Sequence, residues 1–242
     1  MIERRRDYGK KEPSRDAHKI YLMCEDSVTG GVKYFEFFEG LSSNLKVITI
    51  PSSDGKTDPV KLKESAERIL KDSKDKQIED VNNCDENGET VYYVDYENGD
   101  TVWFVIDTDK FEELNKIQPL RDFCNEKNDA IPIKLKYKAW NVAQSNPCFE
   151  IWLYYHLMKT PPKDYDANKE NFKTYFNRFF SNEFSFDRHP VYLQDAIQNA
   201  KTNFKTDKDG KITMFSTEMH LLGTEILGFV KRDLGKLKNK LS

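Results

Sequence analysis

Two aspartates, Asp107 and Asp109, stand directly after the apolar run VWFVI at residues 102–106. Side chains on an extended chain alternate between two faces, so both carboxylates would point to the same side. Two negative charges held together repel each other unless a cation neutralises them or water reaches them freely. Carboxylate oxygens are ligands that Mg²⁺ and Mn²⁺ prefer, so the pair predicts a divalent-metal site. The alternative is that Asp109 caps the following helix and Asp107 closes a turn.

A third acid, Glu25, follows another apolar run, KIYLMC at residues 19–24. Ligands of open α/β sheets gather at the carboxyl ends of the parallel strands. If both apolar runs are strands of one parallel sheet, Glu25 lies at the same edge as Asp107. Glu25 is then placed to supply a third carboxylate to the predicted metal site.

A second polar cluster is the sequence SNPCFE at residues 145–150. Asn146 is placed to cap a helix that begins at Pro147, with Glu150 in the first turn, where the helix dipole favours a negative charge. From spacing alone, Ser145, Asn146 and Glu150 are explained by the start of a helix whose apolar residues pack inward.

The segments that must position these residues alternate between strand and helix patterns. Apolar runs at 19–24, 45–50 and 102–106 are typical of buried strands, and segments with helical spacing follow them. Two Asn-Gly pairs flank an alternating run and predict a β-hairpin insertion at 76–101. Strands separated by helices predict an α/β fold with a mainly parallel sheet flanked by helices.

The chain after residue 146 is predicted to be helical. Apolar side chains recur at the spacing of one helix face within 172–180 and again within 219–241, which indicates core or partner-packing surfaces. The predicted organisation is a flexible basic tail at 1–17, an α/β domain at 18–146 and a helical extension packed on the core at 147–242.

Composition and charge narrow the classes of function. The 242 residues include 38 Lys and Arg against 41 Asp and Glu, a formal net charge of −3, so the overall charge does not require a nucleic-acid partner. The four cysteines show neither CxxC nor Cys/His ligand spacing, which favours a reduced, cytoplasmic protein without structural zinc. No run approaches the roughly 18 apolar residues of a membrane-spanning helix.

Two further groups of residues carry weaker signals. Lys134, Lys136 and Lys138 alternate along a predicted strand and would face one way, which is usual for a solvated face; the alternative is a track for nucleic-acid phosphates. His156 ends an apolar helical run and is predicted to be a hydrogen-bonded core residue rather than a catalytic base.

Several of these segments together resemble the RloB-like family of bacterial phage-defence proteins, whose fold is Toprim-like. The resemblance is carried by IYLMCED, TDPVKLKESA, VWFVIDTDKF, SNPCFEIWLYYHL and MFSTEMHLLGTEI. It spans residues 18–230 apart from the hairpin insertion, and SNPCFEIW is its most specific part. By this resemblance Glu25, Asp107 and Asp109 bind the metal, and Glu25 also transfers a proton.

The resemblance implies a function and partners as well. A Toprim-type nuclease of this family would use Mg²⁺, or alternatively Mn²⁺, to cleave RNA such as tRNA, or DNA, in abortive infection. Its partner would be an ABC or SMC-like ATPase, and a homodimer is a further alternative. By the resemblance, Ser145 and Asn146 would support the metal ligands as well as starting a helix. Glu150 would do the same or act as an additional acid.

The sequence departs from the family pattern at one place. The usual CEG is followed by a threonine and a second glutamate, whereas CEDSVTGG has Asp26 for the glycine and Gly30 and Gly31 at the place of that glutamate. Thr29 is retained, and Asp26 is a candidate replacement acid. The departure favours a second hypothesis, a non-catalytic Toprim-like subunit that serves as an ATPase-binding or sensing module.

Overall fold

A computed structural model describes residues 10–25, 30–50, 58–75, 83–84, 88–108 and 115–241. In chain order the elements are β1 (His18–Cys24), α1 (Gly31–Glu36), β2 (Leu45–Ile50), α2 (Pro59–Ile69), β3 (Leu70–Asp72), β4 (Tyr92–Val94), β5 (Thr101–Asp107), α3 (Ile117–Asp129), β6 (Trp140–Ser145), α4 (Glu150–Leu157), α5 (Phe172–Phe180), α6 (Leu193–Asn203) and α7 (Met219–Leu241).

Four strands form one parallel sheet in the order β2-β1-β5-β6. Ile20 of β1 lies opposite Val47 of β2 on one side and Thr101 of β5 on the other, and Asp107 lies opposite Ser145 of β6. All four strands run the same way, so their carboxyl ends form a single edge. The predicted α/β class with a mainly parallel sheet is confirmed, and it is consistent with a Toprim-like fold.

Helices cover both faces of this sheet. Ile20 and Leu22 pack in one layer with α1 and α4 to α7, whereas Tyr21 and Met23 pack in the other with α2 and α3. Each fully buried side chain of this size contributes about 1.5–3 kcal/mol. Burial on both faces explains why the strand sequences are continuous apolar runs rather than alternating ones.

The start of α2 shows how local sequence fixes an element. Asp58 caps the helix, because its Oδ1 accepts hydrogen bonds from the backbone N–H groups of Val60 and Lys61, at 3.0 and 3.1 Å. Pro59 occupies the first helical position, where no intrahelical N–H bond is lost. The other carboxylate oxygen of Asp58 pairs with Lys116 at 2.8 Å, which ties α2 to the residue preceding α3.

The predicted helical stripes are largely core. In α5 Phe172, Tyr175 and Phe176 are buried, but Phe179 is 51% exposed. The stripe of α7 is buried at Met219, Leu222, Ile226, Val230, Leu234 and Leu237, whereas the side chain of Leu241 lies outside the described part of the chain. Among the described residues, no helix has the length and apolar character needed to cross a membrane.

Helix α7 crosses the sheet and is tied to both of its edges. At the amino edge Glu225 accepts hydrogen bonds from Thr101 Oγ1 at 2.5 Å and from Trp103 Nε1 at 2.9 Å. At the carboxyl edge Glu218, just before α7, accepts one from the backbone N–H of Gln144 at 3.0 Å. These contacts fix the helical extension on the strands that carry the acids.

The described part of the segment predicted as a β-hairpin insertion, 76–101, contains one antiparallel bridge and one strand that pairs in parallel. Cys84 and Thr90 form an antiparallel bridge, and Gly99 has the positive φ of a tight turn, +81°. The alternating run between them forms β4, which pairs in parallel with β3 instead of with a hairpin arm. Val94 explains this pairing, because it is fully buried in the layer with α2 and α3.

The predicted strand carrying Lys134, Lys136 and Lys138 is wrong. Residues 133–135 form a 3₁₀ turn, Lys136 has a left-handed φ of 53°, and β6 begins only at Trp140. The three lysines therefore do not share one face of a strand. They precede β6 and so belong to the amino edge of the sheet, opposite the carboxyl ends, and Lys134 pairs there with Glu97 at 3.1 Å.

Candidate functional site

Glu25 and Asp107 meet at the carboxyl edge of the sheet. The backbone N–H of Glu25 donates to the Val105 carbonyl at 2.9 Å, which continues the β1–β5 ladder past the end of β1. The backbone N–H of Asp107 donates to Glu25 Oε2 at 2.9 Å. Both residues are half-buried. The structure thus brings together two acids that are widely separated in the sequence.

The amino end of α4 holds the Asp107 carboxylate. Asp107 Oδ1 accepts a hydrogen bond of 2.8 Å from the backbone N–H of Phe149, the residue just before the helix. The first N–H groups of a helix have no intrahelical partner, and the helix dipole favours a negative charge beside them. This contact orients Asp107 and offsets part of its repulsion from Glu25.

Glu150, the first residue of α4, belongs to the same acidic neighbourhood. It is 8% exposed. Burial, followed by the negative charges of Glu150 and Asp107, holds the pKa of the Cys148 thiol well above its usual value. Both carboxylates are therefore close to one buried thiol.

A lysine from the helical extension reaches this neighbourhood. Lys173 Nζ lies 3.6 Å from Glu150 Oε1, and the Lys173 side chain is half-exposed. The neighbouring residue, Phe172, is buried in the core, and its packing holds Lys173 beside Glu150. Sequence reasoning missed Lys173, because only the packing of α5 against the core brings it to the acids.

Ser145 supports the edge through its contacts with Thr217 and Thr108. Its hydroxyl is hydrogen-bonded to Thr217 Oγ1 at 2.7 Å, and its carbonyl accepts from both the backbone N–H and the hydroxyl of Thr108, at 2.8 and 2.9 Å. Thr108 follows Asp107 directly. Ser145 therefore fixes the backbone from which the Asp107 carboxylate projects.

The prediction that Asn146 caps a helix beginning at Pro147 is wrong. Helix α4 begins at Glu150, and the Asn146–Pro147 peptide bond is cis. The Asn146 side chain instead donates to the Ile212 carbonyl at 2.9 Å. The Pro147 carbonyl accepts the backbone N–H of Thr108 at 3.1 Å, so the chain turns beneath β5 before the helix starts. The position of Glu150 in the first turn is as predicted.

The remaining predicted acids, Asp26 and Asp109, lie outside the described residues, as does Thr29. Within the described ranges, no group of three or more His, Cys, Asp or Glu side chains is arranged to hold a metal ion. Glu25 and Asp107 nevertheless suit a hard cation in type and placement, since Mg²⁺ keeps several waters and uses only a few carboxylates. A Cβ added at Gly30 would lie 3.6 Å from the Phe149 ring, so position 30 adjoins the residue whose backbone N–H holds Asp107.

His156 is confirmed as a core residue. Its Nδ1 donates to the Trp152 carbonyl at 3.0 Å, which leaves Nε2 to accept from the Tyr34 hydroxyl at 3.1 Å. Burial lowers the pKa of His156 to about 3. The imidazole is therefore neutral near pH 7, as expected of a hydrogen-bonded core histidine.

Arg121 and Glu218 form a second polar network that sequence reasoning missed. Arg121 Nη2 donates to Glu218 Oε2 at 2.6 Å and to Gln144 Oε1 at 2.8 Å. The Gln144 amide in turn donates to the Thr108 hydroxyl at 2.9 Å. The network reaches the residue next to Asp107 from the face of the sheet that α3 covers.

Together these features define an α/β protein with a parallel sheet whose carboxyl edge carries an acidic site. The chain matches the family of RloB-like proteins over residues 20–226 and belongs to that family. No curated protein and no solved structure matches the chain.

Proposed function

We propose that this protein is a divalent-metal-dependent nuclease of the Toprim type, with Glu25, Asp107 and Asp109 as its acids. The hydrogen bond from the Asp107 backbone to Glu25 is the observation that carries the proposal, because it unites two acids at the ligand-binding edge of the sheet. Membership of the RloB-like family supports the same assignment.

The proposed cofactor is Mg²⁺, with Mn²⁺ as an alternative. Glu25 and Asp107 would hold it together with Asp109, and Glu150 is placed to act as an additional acid. Such an ion activates water and neutralises charge that develops on a phosphate during hydrolysis. Carboxylate and water ligands are the set that both metals prefer.

The chain's own groups would orient the substrate and move a proton. Glu25 is held by the Asp107 N–H through Oε2, so its carboxylate is fixed at the edge where a phosphate would be attacked. We assign Glu25 the proton transfer on that ground and by family resemblance. Lys173 and the amino end of α4 place positive charge next to the acids, where they would attract a phosphodiester.

The biological assignment rests on the family. We propose that the substrate is RNA such as tRNA, with DNA as the alternative, and that cleavage serves anti-phage defence by abortive infection in the cytoplasm. An ABC or SMC-like ATPase would be the partner, and a homodimer is compatible with the same role. We do not assign Lys134, Lys136 and Lys138 to substrate contact, because they precede β6 at the opposite edge; the solvated face, which the sequence favoured over a phosphate track, is the better assignment.

A second candidate function is a non-catalytic subunit that binds or senses the ATPase. Gly30 and Gly31 favour it, since they occupy the place of the family's second glutamate. The amino end of α4 and Lys173 compensate part of the acidic charge, so Asp107 and Glu150 are tolerated without a metal. The exposed Phe179 ring on α5 offers an apolar contact for such a partner.

The test is cleavage of RNA and DNA in Mg²⁺ or Mn²⁺, with and without the proposed ATPase partner. We expect cleavage by the wild type and its loss in Glu25→Gln and Asp107→Asn. Glu126→Gln, at an exposed position of α3, is the matched control and should cleave normally. Cleavage that survives both site substitutions would disprove the site, and metal binding without cleavage of any substrate would support the non-catalytic subunit.

A further inference from the structure

A polar cleft of about 260 Å³ opens beside the acidic edge, between the start of α3, the end of β6 and the turn that includes residues 206–212. We name it the Arg121 cleft after its central residue. Its lining includes the polar or aromatic side chains of Asn115, Gln118, Arg121, Gln144, Phe204 and Lys211. Pockets for drug-sized ligands span roughly 300–1,000 Å³, so this cleft suits a smaller group.

The charges that line the cleft balance. Arg121 and Lys211 are positive, and Asp209 and Glu218 are negative. Glu218 pairs directly with Arg121, at 2.6 Å, so the guanidinium is held in place by a carboxylate. A phosphate in the cleft would be repelled by these two acids as well as attracted by the two cations. A neutral polar ligand would not be repelled. The cleft is therefore suited to a neutral group with both hydrogen-bond donors and acceptors.

The polar and aromatic groups of the cleft match the faces and edges of a nucleobase. Asn115 and Gln118 are exposed, and their amides carry both donors and acceptors. One Gln118 N–H donates to Asp122 Oδ1 at 2.7 Å, which orients this amide and leaves its oxygen and second N–H for a ligand. Phe204 adds an aromatic ring, held by the His220 ring at a centroid distance of 5.1 Å. Proteins read unstacked bases by this combination, stacking on aromatic or Arg planes and hydrogen bonding to the base edges.

The cleft connects to the acidic site through two residues. Gln144 lines the cleft and donates its amide to the Thr108 hydroxyl at 2.9 Å. Thr108 follows Asp107, whose carboxylate is held by α4 on the other side of the sheet. A nucleotide strand that crosses this edge would therefore bring a base to the cleft and a phosphate to the acids.

We propose that the Arg121 cleft binds a nucleobase of a single-stranded nucleic acid, beside the phosphate that the acidic site attacks. The proposal rests on the proposed nuclease function for its biological meaning, but base binding is measurable without cleavage. The cleft would give the protein a preference for the base that flanks the cleaved bond.

The test is saturation-transfer NMR of the intact protein with adenosine, guanosine, cytidine and uridine, which carry no phosphate. We expect at least one nucleoside to bind. Its dissociation constant should rise about tenfold in Phe204→Leu, which removes the stacking ring, and rise in Gln118→Ala as well. Asn125→Ala, an amide removed from an exposed position of the same helix outside the cleft, is the matched control and should bind as the wild type does.

Two further arms separate this inference from the nuclease proposal. In the first, Asp107→Asn should still bind the nucleoside. In the second, an oligonucleotide should displace the nucleoside from the wild type, whereas inorganic phosphate should not. Binding that persists in a protein without nuclease activity would keep the cleft assignment and remove only the proposed reaction. The inference is overturned if no nucleoside binds, if Phe204→Leu and Gln118→Ala bind normally, or if an oligonucleotide fails to displace the nucleoside.

Discussion

The backbone N–H of Asp107 donates a hydrogen bond to Oε2 of Glu25 across 2.9 Å, although the two residues are 82 positions apart. The bond exists because β1 and β5 are neighbouring parallel strands that end at the same edge. It holds the Glu25 carboxylate next to Asp107, which bears the second carboxylate. The stability and activity of the protein should therefore respond to changes at either position in defined ways.

Substitution of Asp107 should separate its structural contact from its charge. Asp107→Asn keeps an oxygen that can accept the Phe149 N–H, whereas Asp107→Ala leaves that buried N–H without its partner. We expect Asp107→Ala to lower the free energy of unfolding by about 1–3 kcal/mol and Asp107→Asn to lower it by less than about 1 kcal/mol. Urea unfolding measures both, and equal losses would contradict the contact.

Replacement of Lys173 should raise the affinity for metal and lower the rate of substrate cleavage. Lys173 lies 3.6 Å from Glu150, so Lys173→Met removes a positive charge that competes with a cation. We expect Mn²⁺ affinity to rise a few-fold and cleavage to fall at least tenfold, because the lysine also attracts the phosphate.

Lys169→Met is the matched control for Lys173→Met. Lys169 is exposed and pairs with Asp166 and not with Glu150, so its loss should change neither measurement. A fall in both affinity and cleavage for Lys173→Met would indicate a merely structural role for this lysine.

Restoring an acid at Gly30 should strengthen the site. Gly30 has a φ of −109°, which other residues adopt readily, and its added Cβ would make ordinary contact with the Phe149 ring. We expect Gly30→Glu to bind Mn²⁺ more tightly than the wild type, and Gly30→Gln, of similar size but neutral, to match the wild type. Equal affinities for both variants would show that position 30 does not reach the metal.

The buried histidine should make the protein less stable in mild acid. The pKa of His156 falls from 6.5 to about 3 on burial, so only the unfolded state binds this proton between those values. The free energy of unfolding should therefore decrease as the pH falls from 6.5 toward 3, by up to about 1.4 kcal/mol per pH unit from this group. Urea unfolding at several pH values should show a shallower slope for His156→Gln, and an unchanged slope would contradict the assignment.

The sequence predicted the parts of the site that depend on periodicity. Continuous apolar runs identified β1 and β5 as buried strands, and the end of each run marked Glu25 and Asp107. The cap at Asp58 and the core position of His156 were also predictable, because local spacing and burial determine them.

The features that sequence reasoning missed or misplaced depend on distant contacts. Asn146 resembles a helix cap, but its side chain bonds to Ile212, 66 positions away. Lys173 reaches Glu150 only because α5 packs on the core, and Arg121 meets Glu218 across 97 positions. The alternating lysines at 134–138 resemble a strand, yet a 3₁₀ turn forms there and Tyr137 donates to the Tyr96 carbonyl at 3.0 Å.

Calorimetric titration with Mn²⁺ tests the central claim most directly, because it reports metal binding independently of substrate and partner. The account predicts that the wild type binds Mn²⁺, that Glu25→Gln and Asp107→Asn each weaken binding at least tenfold, and that Glu126→Gln binds as the wild type does. Unchanged affinity in both Glu25→Gln and Asp107→Asn would contradict the claim that these two acids form a metal site.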